Sequence, residues 1–295
     1  MKKTLFKGTG VAIVTPFNED LSVNYDVFEK LLKFNIENGT DAVIVCGTTG
    51  ESATLNDEEH KDVIEFAVKT VNGKIPVIAG TGSNDTKYAV ELSKHAQQMG
   101  VDGLLVVTPY YNKATQQGLI THYTAIADSV DIPVIIYNVP SRTGCNVEPE
   151  TIKELSKHKN IVGVKEASGN ISQVAKIAAL CGDEIDIYSG NDDQILPILS
   201  LGGKGVISVM SNILPKETHD ICRLFFEGKF KESLELSNKL NKISHDLFLE
   251  VNPIPVKAAL ELMGYDAMSL RLPLTSMTQQ KKEILKNSMK ELGLV

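Results

Sequence analysis

Short runs of apolar, often β-branched residues recur along the first two thirds of the chain, and between them lie longer segments whose apolar positions follow a helical period. The runs are GVAIVTPF at 10–17, DAVIVCGTTG at 41–50, IPVIAGTG at 75–82, DGLLVVTPYY at 102–111, IPVIIYNVP at 132–140, IVGVKEAS at 161–168, EIDIYSGND at 184–192 and KGVISVM at 204–210. Runs of that length, closed by Gly, Pro, Asn or Asp, read as buried strands. In the intervening segments Val27, Leu31, Phe34 and Ile36 form one buried stripe, and Val63, Ile64, Ala67 and Val71 a second. Start signals agree with helices there. Asn56 followed by Glu59 has the form of a reciprocal cap, and Asn24, Asn84, Thr115 and Asn170 stand where N-caps belong.

Alternating strands and helices imply parallel strands joined by right-handed crossovers. Eight such units over residues 1–229 fit a closed (β/α)8 barrel, an α/β fold. A doubly wound open sheet is the competing architecture, but it would normally carry a phosphate-binding fingerprint, and neither GxGxxG nor GxxxxGK[ST] occurs. The remainder, 230–295, reads as a C-terminal helical appendix with pieces around Leu234–Leu249, Pro255–Met263 and Gln279–Leu292.

Composition narrows the function. A chain of 295 residues, 42% apolar, can bury a large core. A net charge of −7 and the absence of a concentrated Lys/Arg run argue against nucleic-acid and membrane-surface partners. Cys46, Cys145, Cys181 and Cys222 are widely spaced, without CxxC or metal-site spacing, and read as buried thiols of a reducing compartment. The start MKKTLFKGTG lacks the apolar core of a signal peptide, and no apolar run approaches membrane length. The expected location is the cytoplasm.

The barrel assignment filters the candidate chemistry, because active sites sit at the carboxyl ends of barrel strands. The second run ends in Gly47-Thr48-Thr49-Gly50-Glu51, the fourth in Thr108-Pro109-Tyr110-Tyr111, the fifth in Tyr137 to Gly144 with Arg142, and the sixth carries Lys165. Strand alternation puts Gly163, Lys165 and Ala167 on one face and Val162, Val164 and Glu166 on the other, so Lys165 is parted from its acidic neighbour. Burial without a touching carboxylate disfavours the ammonium. Lowering a lysine from about 10.4 to roughly 7 or 8 corresponds to about 4 kcal/mol and yields an amine able to form a Schiff base with a ketone. A structural lysine, paired inside the barrel or reaching solvent, is the alternative on this run alone.

A Schiff-base enzyme must also relay protons. Tyr137 lies on the inward parity of its strand, and Thr48 and Tyr111 end neighbouring strands. Thr48 and Thr49 offer hydroxyls and backbone amides in a tight turn suited to a small carboxylate. Arg142 offers a fork of donors for a second one. Each has a structural alternative: a satisfied core phenol, an ordinary turn, a surface ion pair. Glu51 reads as a turn anchor without a catalytic step.

GTTGES at 47–52, TPYYNK at 108–113, YNVPSRTG at 137–144, VGVKEASGN at 162–170 and NPIPVK at 252–257 resemble the signatures of the dihydrodipicolinate synthase (4-hydroxy-tetrahydrodipicolinate synthase) family, within the N-acetylneuraminate lyase-like class I aldolases. The likeness covers nearly the whole chain. It implies that Lys165 forms an imine with pyruvate, that Tyr137 shuttles protons, and that Thr48 links it to Tyr111 reaching in from a neighbouring subunit. It implies further that Thr49 holds the pyruvate carboxylate with Thr48, that Arg142 positions L-aspartate 4-semialdehyde, that the backbones of Gly190 and Ile207 line the pocket, and that no metal or organic cofactor is needed. The implied product, 4-hydroxy-tetrahydrodipicolinate, feeds diaminopimelate and lysine synthesis. The implied assembly is a homotetramer, a dimer of dimers.

Lysine-sensitive relatives bind their inhibitor through positions corresponding here to Ser52, Ala53, Leu55, His60, Asn84 and Tyr110, all matching. Tyr88, however, stands where they carry a carboxylate and Asp57 where they carry a histidine, so weak or absent lysine inhibition is expected. Pyruvate-dependent aldolases that cleave N-acetylneuraminate or keto-deoxy sugar acids are the alternative, disfavoured by Arg142 and NPIPVK. A noncatalytic keto-acid-binding barrel would be expected to lose the amine or the phenols. A pyridoxal phosphate enzyme would need a phosphate cradle, and none is found.

Overall fold

The computed structural model describes Lys2 and residues 4–295. Met1 and Lys3, part of the amino-terminal segment read above, lie outside the described residues. Eight parallel strands close into a barrel in sequence order, the first pairing with the last. They are β1 (Gly8–Ala12), β2 (Ala42–Val45), β3 (Val77–Gly80), β4 (Gly103–Val107), β5 (Val134–Asn138), β6 (Ile161–Glu166), β7 (Asp186–Ser189) and β8 (Gly205–Ser208). This is a (β/α)8 barrel with helices following each strand, and helices Phe230–Asp246, Ile254–Leu262 and Gln279–Glu291 complete the chain.

Strand parity sorts the apolar residues into two cores. Phe6, Ile44, Ile78, Leu105, Ile135, Tyr137, Tyr188 and Ile207 fill the barrel, whereas Val43, Val45, Ile136, Val164 and Val206 face the helices. At the amino end of the barrel Phe6 stacks on Tyr188 with ring centroids 4.4 Å apart, and the Tyr188 hydroxyl donates to the Phe6 carbonyl at 2.8 Å. That end is plugged by packing, which leaves the carboxyl end for chemistry.

Most local signals hold. Asn24, Thr115 and Asn170 accept from backbone amides as N-caps, and Asn56 with Glu59 forms a complete capping box. The expected stripe Val63, Ile64, Ala67, Val71 is buried throughout. Three expectations are corrected. The third helix, Thr86–Gln98, is capped by Asp85 and not by Asn84. The first helix buries Val27, Phe28, Leu31, Leu32 and Asn35, leaving Phe34 and Ile36 half-buried, because a period near 3.6 carries the face through 28 and 32. The first strand ends at Ala12; Pro16 has no amide to continue a ladder, and Phe17 instead bridges to Val23 and Met268. All four cysteines are free and buried. Among the described residues no helix is long and apolar enough to cross a membrane.

Candidate active site

The β5–β6 register sets Tyr137 directly opposite Lys165, and Asn138 opposite Glu166. Lys165 and Tyr137 are 6% and 7% exposed, and the Lys165 Nζ lies 4.3 Å from the centroid of the phenol ring. Burial lowers the Lys165 amine below its ordinary value; the Tyr137 phenol and the Asp192 carboxylate oppose that, while the Arg142 charge adds to it. Glu166 points the other way, as parity requires. Its carboxylate accepts from the Ser168 amide at 2.7 Å, the Asn138 amide group at 3.0 Å and Gln173 at 3.1 Å. The acidic neighbour is thus satisfied outside the barrel and does not hold the amine as ammonium.

Beyond β2 the chain makes a tight turn, with the Gly50 amide bonded to the Gly47 carbonyl and the Glu51 amide to the Thr48 carbonyl, both at 3.1 Å. The turn is entered and left through left-handed residues, Cys46 (φ 52°) and Glu51 (φ 52°), a conformation that persists in non-glycine residues only where the surroundings impose it. One imposing contact comes from β3: a Cβ at Gly80 would lie 2.2 Å from the Cys46 carbonyl oxygen, so only glycine admits this path. Thr48 is half-buried on the wall of a cavity, and Thr49 is buried behind it.

The rest of the scaffold for this turn comes from the carboxyl-terminal helical region. Lys257, on the helix Ile254–Leu262, pairs with Glu51 at 2.5 Å, both side chains being 1% exposed. Its ammonium also lies 4.2 Å from the centre of the Phe17 ring and donates to the Ser269 carbonyl at 2.8 Å. Arg271 bonds Glu59 and the Thr54 carbonyl, and its backbone amide donates to Glu51 at 3.2 Å. Asn252 donates from Nδ2 to the Thr49 hydroxyl at 3.0 Å, and its carbonyl accepts from the Arg142 guanidinium at 3.2 Å. Asn252 was not singled out from the sequence. Its position in NPIPVK is the signal that could have found it.

A cavity of about 470 Å³ opens over these groups, lined by Thr48, Glu51, Val107, Tyr110, Arg142 and Asn252 and continuing past Ser52, Ala53, Leu55, His60 and Tyr88. Lys165, Tyr137 and Thr49 are buried and do not line it. Gly190 follows β7, where a Cβ would come within 2.5 Å of the Ala167 side chain; its amide donates to the Glu166 carbonyl at 2.8 Å. Ile207 fills the barrel interior on β8, paired with Gly10. Neither lines the cavity. Tyr111, with φ 69°, is 92% exposed, so a single chain does not pack it against Thr48 or Tyr137. Among the described residues no cluster of His, Cys, Asp or Glu is placed to hold a metal.

At the far end of the cavity the Tyr88 hydroxyl donates to Asp57 at 2.7 Å. That bond ties the helix Thr86–Gln98 to the helix Asp57–Val71. His60 Nε2 meets the Gly80 carbonyl at 2.9 Å, and burial lowers the pKa of its ring.

A sequence profile of the Dihydrodipicolinate synthetase family matches residues 5–292. The chain is 59% identical to the 4-hydroxy-tetrahydrodipicolinate synthase of Caldicellulosiruptor bescii over 291 residues, covering 99% of this chain and 98% of the relative. It is 55% identical to the enzyme of the same name from Clostridium novyi, over 97% and 96% of the two chains. Among solved structures, the dihydrodipicolinate synthase of Thermotoga maritima superposes with a TM-score of 0.97 at 44% identity, over 99% of this chain and 100% of the other.

Proposed function

The chain belongs to the Dihydrodipicolinate synthetase family, its reaction is the Schiff-base condensation of pyruvate with L-aspartate 4-semialdehyde to 4-hydroxy-tetrahydrodipicolinate, and from that premise we propose that Lys165 is the nucleophile. The observation that carries the assignment is the opposition of Lys165 and Tyr137 across β5 and β6, with the amine buried against the phenol and no carboxylate paired with it. The neutral amine attacks the ketone carbon, and the carbinolamine loses water to give the imine. Loss of a methyl proton then gives an enamine, whose carbon attacks the aldehyde. The amino group of the aldehyde substrate displaces the lysine as the ring closes, so one water leaves overall and the enzyme is restored.

Tyr137 is the group best placed to carry these protons, since its hydroxyl can both donate and accept. Thr48 and the partner subunit's copy of the exposed phenol, Tyr111, complete the relay. Thr49 and the turn around it bind the pyruvate carboxylate, and Arg142 on the cavity wall binds that of the aldehyde, with the backbones of Gly190 and Ile207 bounding the site. The enzyme works in the cytoplasm as a homotetramer of two tight dimers. The left-handed, 92% exposed Tyr111 supports that assembly, because a phenol fixed in that conformation without intrachain packing suits a neighbour's site. Barrel (1–229) and helical region (230–295) act as one unit, since Asn252 and Lys257 support the turn after β2. Lysine inhibits weakly or not at all, because the Asp57 carboxylate is engaged by Tyr88 and does not stand at the position expected of a sensitive enzyme.

The test is intact mass after borohydride reduction with pyruvate. A pyruvate-sized adduct on the parent and none on Lys165→Ala is the expected result; an adduct on both, or on neither, overturns the assignment. Strong inhibition by submillimolar lysine would overturn the regulatory part. Sedimentation giving only a monomer, with full activity, would overturn the assembly.

A further inference from the structure

The relation between Asn252 and Thr49 has a direction. Asn252 is 4% exposed, its Nδ2 donates to the Thr49 hydroxyl at 3.0 Å, and its Oδ1 has no partner among the described residues. A threonine hydroxyl has one hydrogen to give. When its oxygen accepts from Asn252, that hydrogen is left for another acceptor. Thr49 is 3% exposed and sits in the turn that carries Thr48 to the cavity wall, so a small anion entering there is the acceptor the arrangement suits.

The backbone that carries the carboxamide leads directly into a helix. Pro253 and Ile254 start the helix whose Lys257 amide donates to the Pro253 carbonyl at 3.0 Å, and Lys257 pairs with Glu51, two residues beyond Thr49. Two side chains from one helix start therefore grip two residues of one turn. The Asn252 carbonyl, meanwhile, takes the Arg142 guanidinium at 3.2 Å, so one residue touches both groups assigned to carboxylates.

We propose that Asn252 is a positioning residue: by donating to the Thr49 hydroxyl it fixes that hydroxyl as a donor toward the keto acid's carboxylate, tying keto-acid affinity to the carboxyl-terminal helical region. This rests on the assignment of Thr49 to that carboxylate. The polarity makes it testable. Asn252→Asp replaces the donor by an acceptor of nearly the same shape, turns the Thr49 hydrogen away from the ligand and adds a negative charge. Asn252→Ala removes the contact without reversing it.

The experiment measures KM for pyruvate and kcat, together with the extent of borohydride trapping at fixed pyruvate and at fixed acetone, which has the ketone and no carboxylate. Asn252→Asp should raise KM for pyruvate by roughly ten- to hundredfold, the scale of a hydrogen bond to a charged group, with a smaller change in kcat. Asn252→Ala should raise it only a few-fold. Acetone trapping should be the same in all three proteins, and Thr49→Val should make Asn252→Ala nearly silent. Equal effects of Asp and Ala, an unchanged KM, or parallel loss of pyruvate and acetone trapping would each overturn the proposal. A parent that traps neither ketone would overturn the Schiff-base assignment itself, and the inference with it. Should Asn252→Asp fail to fold, Asn252→Ala compared with Thr49→Val carries the same decision: KM changes that simply add show that Asn252 does not act through Thr49.

Discussion

Two lysines are buried among the described residues, each lying over an aromatic ring, and they differ in what else meets the amine. The Lys165 Nζ is 4.3 Å from the centre of the Tyr137 ring and the Lys257 Nζ 4.2 Å from that of Phe17. Burial lowers the pKa of both. The difference lies in the third partner. Lys257 meets Glu51 at 2.5 Å and a backbone carbonyl at 2.8 Å, so that even with its pKa lowered to about 8 it stays an ammonium at neutral pH. Lys165 forms no ion pair: Glu166 is turned outward into a set of amide donors, and the Asp192 carboxylate, held by the Val209 and Met210 amides, offsets burial without pairing with the amine. Burial acts on both amines alike; what separates them is the carboxylate that pairs with Lys257 and the lack of one paired with Lys165.

The sharpest way to break this comparison is to remove each amine. Lys165→Ala should lower kcat by about a thousandfold or more, with little change in the urea midpoint, because the side chain has no ion pair to lose. Lys257→Ala should do the reverse. It leaves Glu51 buried and unpaired, a loss of about 3–5 kcal/mol in urea unfolding, while adding Glu51→Gln to Lys257→Met should recover most of that. If Lys257→Ala costs less than about 1 kcal/mol, the ion pair does not hold the turn. Next in size, Tyr137→Phe should reduce kcat by roughly a hundredfold or more, with Lys257 still inert to pyruvate and borohydride when the labelled peptides are mapped by mass.

The smallest expected effect is in the pH profile. Only the neutral amine attacks, so kcat/KM for pyruvate should rise with pH through the Lys165 pKa. Because burial lowers that pKa, the plateau should begin below the ordinary lysine value of about 10.4. A profile still rising through that value would show that the amine is not shielded.

How far each lysine could be read from the chain follows from where its partners lie. The β-branched run around Lys165, the parity that separates it from Glu166, and Tyr137 two places beyond Ile135 are all local facts, and strand alternation turns them into geometry without help from distant residues. Tyr111 stood out as a phenol at a strand end, whereas its reach into a neighbouring subunit and the backbone positions Gly190 and Ile207 rest on the family resemblance alone, since nothing near them in the sequence signals a ligand. Lys257 and Asn252 lie in a motif, NPIPVK, that identifies the family without disclosing what its side chains touch. Asn84 lost the capping role to its neighbour, and Phe34 and Ile36 lost the buried face, because adjacent residues offered the same chemistry and only packing could choose between them.

By itself, then, the sequence determined the eight-strand alternation, most of the helix starts and the inward face of β6, because each depends on residues within one or two turns of chain. Tertiary structure alone decided that Asn252 reaches Thr49 across 203 residues of sequence and that Lys257 closes on Glu51. Those contacts exist only once the barrel has closed and its last helices have docked, and no local pattern encodes a pairing between side chains that far apart.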